Sequence, residues 1–202
     1  MNRTIFKPAS PESIYSEANI FTLIRLTSSI VFFMLAIINK QILFLYIGFV
    51  IHWIGDFIDG FIARVFKQET IIGAEIDLIA DRLEIILFYA IFLYFRPYLF
   101  LAASLYLIDY AFIDFFLGYQ FNKFGIISPN YFFKVDNRVH LLNFSPGGKF
   151  LNSSVVTLTL IFLPQFHIFA AIIAIGLIII KSYSIYLLCK IGLTEKFNID
   201  RN

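Results

Sequence analysis

Six apolar stretches divide most of the chain, approximately residues 20–38, 42–66, 72–95, 98–119, 150–165 and 167–190. Each is close to the roughly 20 residues that a helix needs to cross the hydrocarbon core of a bilayer. In lipid, only helices and closed barrels satisfy all of their own backbone polar groups. The pattern therefore predicts an all-α, polytopic membrane protein with six transmembrane helices in one bundle. Composition agrees, since 59% of the 202 residues are hydrophobic and 19% aromatic, too apolar for a soluble domain of this length. The first apolar run follows a polar leader without a small-x-small cleavage site, and reads as a retained helix. Pro164, followed by Gln165 and His167, separates the last two runs, because proline disfavours helix in the residue before it. Cys189 is the single cysteine, so the fold rests on helix packing rather than on an intrachain disulfide.

Basic residues give the orientation. With a cytoplasmic N-terminus, that side carries Arg3, Lys7, Lys67, Lys123, Lys134, Arg138, Lys149, Lys190, Lys196 and Arg201, and the far side only Lys40 and Arg96, as the positive-inside rule requires. The expected layout is an N-terminal interfacial segment over residues 1–19, a helical domain over 20–190 and a cytoplasmic tail over 191–202. Ser10-Pro11-Glu12 looks like a helix start for the interfacial segment. The connection over residues 120–149 contains Ser128-Pro129-Asn130 and Ser145-Pro146-Gly147-Gly148, which read as turns. A formal net charge of +2 gives no reason to expect a nucleic-acid partner.

Against this apolar background stand Asp56 and Asp59 in the second stretch, and Asp77, Asp81 and Glu84 in the third. An unpaired acid near mid-bilayer costs roughly 2.5–3.5 kcal/mol on insertion scales, so something must compensate them. At 100 degrees per residue, His52, Asp56, Asp59, Gly60 and Ala63 fall within about an 80-degree arc, as do Gly73, Asp77, Asp81 and Glu84. Counting helix rise from the turn at residues 65–72 puts Asp59 level with Asp77 and Asp56 level with Asp81, about 6–7 Å and about 12 Å down. Two facing pairs of aspartates cannot all stay ionised unless a cation shares the site. All-oxygen ligands suit Mg²⁺ or Mn²⁺, and two ions bridged by shared carboxylates are the natural reading. The competing reading is a set of acid–base pairs that only hold the bundle together. For that, Arg64 and Arg82 are the nearby cations, and Arg82 projects about 140 degrees from the Asp81 side of its helix.

The same residues spell Asp56-x2-Asp59-Gly60-x2-Ala63-Arg64-x8-Gly73-x3-Asp77-x3-Asp81. This resembles, position for position, the signature of the CDP-alcohol phosphatidyltransferase family. Asn19, Thr22 and Arg25, on one helical stripe, are similar to the family's Asn-x2-Thr-x2-Arg stretch, and Gly148-Lys149 to a Gly-Lys found before its fifth span. The resemblance implies a homodimeric six-helix enzyme of phospholipid biosynthesis in the cell membrane, with its active site facing the cytoplasm. Asp56, Asp59, Asp77 and Asp81 would ligate two Mg²⁺ or Mn²⁺ ions that grip the pyrophosphate of CDP-diacylglycerol. Asp81 would also be the general base. Asn19, Thr22, Arg25, Gly60, Ala63, Arg64 and Gly73 would bind the CDP group. A small alcohol would attack the lipid-side phosphorus and release CMP. The alternative direction moves a phosphoalcohol from a soluble CDP-alcohol onto diacylglycerol.

The acceptor side is less marked. Lys149, Lys181 and Arg138 are candidates for contacting an anionic acceptor, although Lys181 has the alternative of snorkelling to the interface. Asp109 and Asp114 lie about 140 degrees apart on an α-helix and so are not expected to share a site; pairing with Lys181 or Arg138 is one reading of them. A functional reading of the two acids is recognition of an amino or trimethylammonium acceptor, aided by Tyr106 and Tyr110 through cation–π contact. His52 is expected to be a hydrogen-bonded interior histidine, with contact to substrate or metal as the alternative. From another class, a cation transporter also places acids inside a membrane, but such sites lie near the midplane between repeated halves, and no repeat is visible here.

Overall fold

A computed structural model describes residues 15–199, and every regular element among them is helical. Ser10-Pro11-Glu12 and the ends of the chain lie outside the described residues.

α1 (Glu17–Asn39) starts where the Ser16 side chain accepts the Asn19 amide, and stops where Lys40 turns left-handed, φ 52°, to return its amide to Ala36 and Ile37. α2 (Ile42–Val65) runs back to a second left-handed lysine, Lys67, φ 54°. Thr70 then caps α3 (Ile71–Phe95) by accepting the Gly73 amide at 2.9 Å. α4 (Pro97–Tyr119) follows. The connection after it holds a 3-10 segment, Pro129–Lys134, a single turn, Asn137–Val139, and a π turn, His140–Phe144. α5 (Pro146–Ser153), α6 (Val155–Phe162) and α7 (His167–Ile199) complete the described residues.

The molecule is apolar outside as well as within. Phe57 and Phe112 are 71% exposed and Phe162 73% exposed, while Arg25, His52, Asp59, Glu84, Asp109 and Lys181 are buried. Outward phenylalanines and inward charges are what a bilayer selects and water does not. Four helical runs are long and apolar enough to cross a membrane: Glu17–Asn39, Ile42–Val65, Pro97–Tyr119 and Pro164–Gly192. The protein is accordingly membrane-embedded. The other two expected spans are of different character. α3 has 25 residues but carries the acids, and the fifth is broken into α5 and α6 at Ser154, φ −109°. One aromatic core, with Phe33, Phe49, Phe88, Tyr89, Phe92 and Tyr106, fills the end of the bundle away from the acids. A second core, with Leu117, Phe121, Ile126, Phe132, Phe144 and Leu188, lies under the connection.

Several expectations change. Ser145-Pro146 is a helix start rather than a turn: Ser145 accepts the Gly148 amide and Pro146 takes the first helical position, where its missing N–H costs nothing. α7 continues through much of the expected tail to Ile199. Asp109 and Asp114 do share a site, because residues Asp109–Asp114 form a π turn. Its wider i→i+5 winding brings residues five apart onto one side, and both carboxylates meet Lys181 Nζ, Asp114 at 3.1 Å. Lys181 is fully buried in this pair, so it neither snorkels nor reaches an acceptor.

Candidate active site

The acids of α2 and α3 converge on a cation from α1. Arg25 is enclosed by five carboxylates: Asp56 at 3.4 Å, Asp59 at 3.5 Å, Asp77 at 3.5 Å, Asp81 at 2.8 Å and Glu84 at 3.4 Å. Arg25 is the compensating cation that the sequence reading missed. Neither Arg64 nor Arg82 fills that place, since Arg82 pairs with Asp114 and lies 3.9 Å over the Tyr110 ring. Glu84 also meets His52 Nδ1 at 2.9 Å, which bears out the interior, hydrogen-bonded role expected of this histidine. The expected facing pairs become three plus one. Ligand atoms of Asp56, Asp59 and Asp77 lie within 4.8 Å of one another, whereas Asp81 groups with His52 and Glu84.

Five carboxylates around one guanidinium leave negative charge in excess, and the oxygen atoms show where a cation fits. Asp59 Oδ1 is buried without a hydrogen-bond partner among the described residues, and an orphaned buried acceptor calls for one. Asp56 and Asp77 keep 45% and 39% of their side chains exposed, open to an incoming ion. A hard divalent cation at about 2.0–2.6 Å from each oxygen requires this kind of spacing and this ligand type. The Asp56–Asp59–Asp77 cluster therefore fits such an ion.

Asp77 stands where two cavities join. The first is bounded by Asn19, Thr22, Asp59, Gly60, Ala63, Arg64 and Gly73 among others. The second is bounded by Asp56, Asp81, Arg82, Tyr110, Asn143 and Lys149 among others. Both include Asp77, Ser128 and Asn130. A third opening, with Arg64, Lys149, Phe57 and Phe150 in its wall, leads from Asp56 and Asp77 toward the apolar exterior. Six of the seven residues assigned to the CDP group thus line one cavity, and Arg25, the seventh, sits beneath it against the acids. Lys149 reaches two of the openings. Arg138 lines none of these cavities and pairs with its neighbour Asp136 at 2.9 Å. That hydrogen bond holds the Asp136 carboxyl below its ordinary range. The Tyr110 ring is covered by Arg82 and stacked on Tyr106, which leaves no open face for an ammonium group. At the rim, Tyr131 donates to Glu69 at 2.7 Å. Burial and this bond push its phenol up to about 12, so it remains a donor at neutral pH.

Gly55 packs against the site and is not contained in the motif. A Cβ there would lie 2.5 Å from Arg25 Cγ and Cδ, so the arginine reaches the acids only across a bare backbone. Gly55 falls on the His52–Asp59 side of α2, one turn from each, and that placement was readable. Gly55→Val should push Arg25 aside and lower activity by about 10-fold or more, the scale of a misplaced active-site group. Turnover of the purified variant in matched detergent checks this, and parental turnover would contradict it. At Gly73 a Cβ would stand 2.9 Å from Asn19 Oδ1 and Thr70 Oγ1, so this glycine lets α1 approach the start of α3.

A family model described as CDP-alcohol phosphatidyltransferase matches residues 15–194. No curated protein and no solved structure matches the chain.

Proposed function

Because the chain belongs to the CDP-alcohol phosphatidyltransferase family, a family of metal-dependent transferases in phospholipid synthesis, we propose that it moves a phosphatidyl group from CDP-diacylglycerol to a small alcohol and releases CMP. The observation that carries this reading is the placement of Asp56, Asp59 and Asp77 at the junction of two cavities. A diphosphate held there would have its nucleotide in the Asn19–Gly73 cavity and its reacting phosphorus toward Asp81 and Lys149.

Asp56, Asp59 and Asp77 would hold Mg²⁺ or Mn²⁺, with Asp81 completing the two-ion set that the signature implies. Bound metal would supply charge neutralisation at the phosphates. Arg64 adds positive charge beside the CDP cavity. Asp81 is the general base: Oδ1 accepts Arg25 at 2.8 Å, and the other oxygen is left to take the acceptor hydroxyl proton. The alcohol oxygen then bonds to the lipid-side phosphorus, and the bond from that phosphorus to the oxygen of CMP breaks. Catalysis rests on positioning and electrostatics, with no covalent enzyme intermediate.

A transport path is disfavoured. Inward of Glu84, the buried rings of Phe88, Tyr89 and Phe92 close the bundle, so the acids line a cul-de-sac. The protein functions in this reading as a homodimer of six-span chains, with the acids at the cytoplasmic side. The test is CMP release by purified protein from CDP-diacylglycerol with Mg²⁺ or Mn²⁺ and an acceptor panel. Turnover should vanish on chelation and return with added metal. Product formed only from a soluble CDP-alcohol and diacylglycerol would reverse the direction, and metal-independent turnover would remove the proposed site.

A further inference from the structure

The second cavity contains a hydrogen-bonding pattern that the phosphatidyl-transfer chemistry does not use. Asn143 sits in the π turn His140–Phe144 and lines the cavity that also holds Asp81 and Lys149. The residue is 3% exposed, and its Oδ1 has no hydrogen-bond partner among the described residues.

Its amide orientation is determined by its neighbours. Asn143 Nδ2 donates to the Val139 carbonyl at 3.0 Å and to Ser184 Oγ at 2.8 Å. Ser184 commits its own proton to the Ile180 carbonyl at 3.0 Å, so toward Asn143 it can only accept. A flipped amide would set carbonyl oxygen against the Val139 carbonyl and leave Ser184 without its donor. Oδ1 is therefore the atom left over, and a carbonyl oxygen can only accept. Asn152, in the same wall, likewise turns its Nδ2 away, to the Leu142 carbonyl at 3.2 Å. Ser128, which also lines the cavity, presents in Oγ a second buried polar atom without a partner among the described residues. Burying a polar group unpaired is costly, and such groups in one cavity wall mark where a ligand supplies the missing bond.

We propose that Asn143 is a specificity residue of the acceptor cavity: its Oδ1 accepts a hydrogen bond from a hydroxyl or ammonium group that the acceptor carries beside the hydroxyl that attacks. This rests on the phosphatidyl-transfer reading and narrows its acceptor to small alcohols with a second donor. Sites built around a buried polar group reject analogues lacking its partner far more strongly than apolar pockets reject a methylene.

Two matched acceptor pairs separate the two donor chemistries. Glycerol 3-phosphate and 3-hydroxypropyl phosphate differ by one hydroxyl; serine and 3-hydroxypropanoate differ by one ammonium. With purified protein, CDP-diacylglycerol and Mn²⁺, the donor-lacking member of one pair should lose about 10-fold or more in kcat/KM. The pair that responds identifies the donor. In Asn143→Leu that discrimination should collapse, through a raised acceptor KM, with the KM for CDP-diacylglycerol unchanged. Ser184→Ala, which removes the amide's support but not Oδ1, should retain most of it. If Asn143→Leu does not fold, the parental discrimination decides alone. Equal use of both members in both pairs overturns the proposal, as does parental discrimination in a folded Asn143→Leu. Retained binding of CDP-diacylglycerol with neither pair turned over also overturns it and leaves the family chemistry standing. Loss of CDP-diacylglycerol binding itself would remove the reading beneath it.

Discussion

Asp81→Asn is expected to lower CMP release by about 10²–10⁴-fold, the usual contribution of a positioned general base, while the fold and the binding of CDP-diacylglycerol survive. The substitution keeps the shape of the side chain, and an amide oxygen can still accept the 2.8 Å hydrogen bond from Arg25. What it removes is the oxygen's ability to take a proton. Asp81 also groups with His52 and Glu84 rather than with the three-aspartate cluster, so its loss should move the Mn²⁺ titration midpoint less than the loss of a cluster member. Asp77→Asn, by contrast, should shift that midpoint to higher Mn²⁺, because Asp77 belongs to the cluster. Measuring turnover and the midpoint in both variants separates base from ligand. Full turnover in Asp81→Asn would remove the proposed base, and a shift equal to that of Asp77→Asn would make Asp81 a metal ligand first.

Local chemistry made much of this arrangement readable before any coordinates. Helical periodicity put the acids of α2 and α3 on facing stripes, and both stripes do meet. Helix ends were also near to hand, since apolar runs and turn residues mark them: the second expected span differs from α2 by one residue at its end. What spacing does not reveal is a backbone that departs from ideal α-helical angles, and a partner that comes from another element. Asp109 and Asp114 seemed divergent because the widened turn between them has no local signature. Arg25 was placed with the nucleotide on motif position alone. Its burial among the acids depends on Gly55, on another helix, leaving the backbone bare. Asn143 carried no signal at all, because an amide's role is set by partners such as Ser184, 41 residues away. Spacing makes the face of a regular helix legible; a widened turn, and the side chains that other helices bring to that face, are not.

Removing Arg25 should turn an excess of negative charge into dependence on metal. Arg25→Met keeps an unbranched apolar stem while deleting the only guanidinium among the described residues that touches Asp56, Asp59, Asp77, Asp81 and Glu84. Breaking a buried ion pair by deleting one partner costs about 3–5 kcal/mol, because the other charge is left uncompensated. Here the carboxylates left behind also repel one another. In chelator the variant should therefore unfold at a markedly lower temperature than the parent. A cation that binds only the folded state stabilises it more the tighter it binds, roughly as the logarithm of its affinity, and affinity rises when the ligands lose a competing positive charge. Added Mn²⁺ should thus recover more stability in Arg25→Met than it adds to the parent. Arg25→Lys should fall between them, keeping the charge but losing the planar fork that reaches several carboxylates at once. Thermal unfolding of the three proteins in matched detergent, with chelator and with Mn²⁺, reads all of this in one series. An Arg25→Met protein as stable as the parent in chelator would mean that the acids do not depend on Arg25 for compensation. An equal response to Mn²⁺ in both would mean that metal and arginine do not act on the same carboxylates.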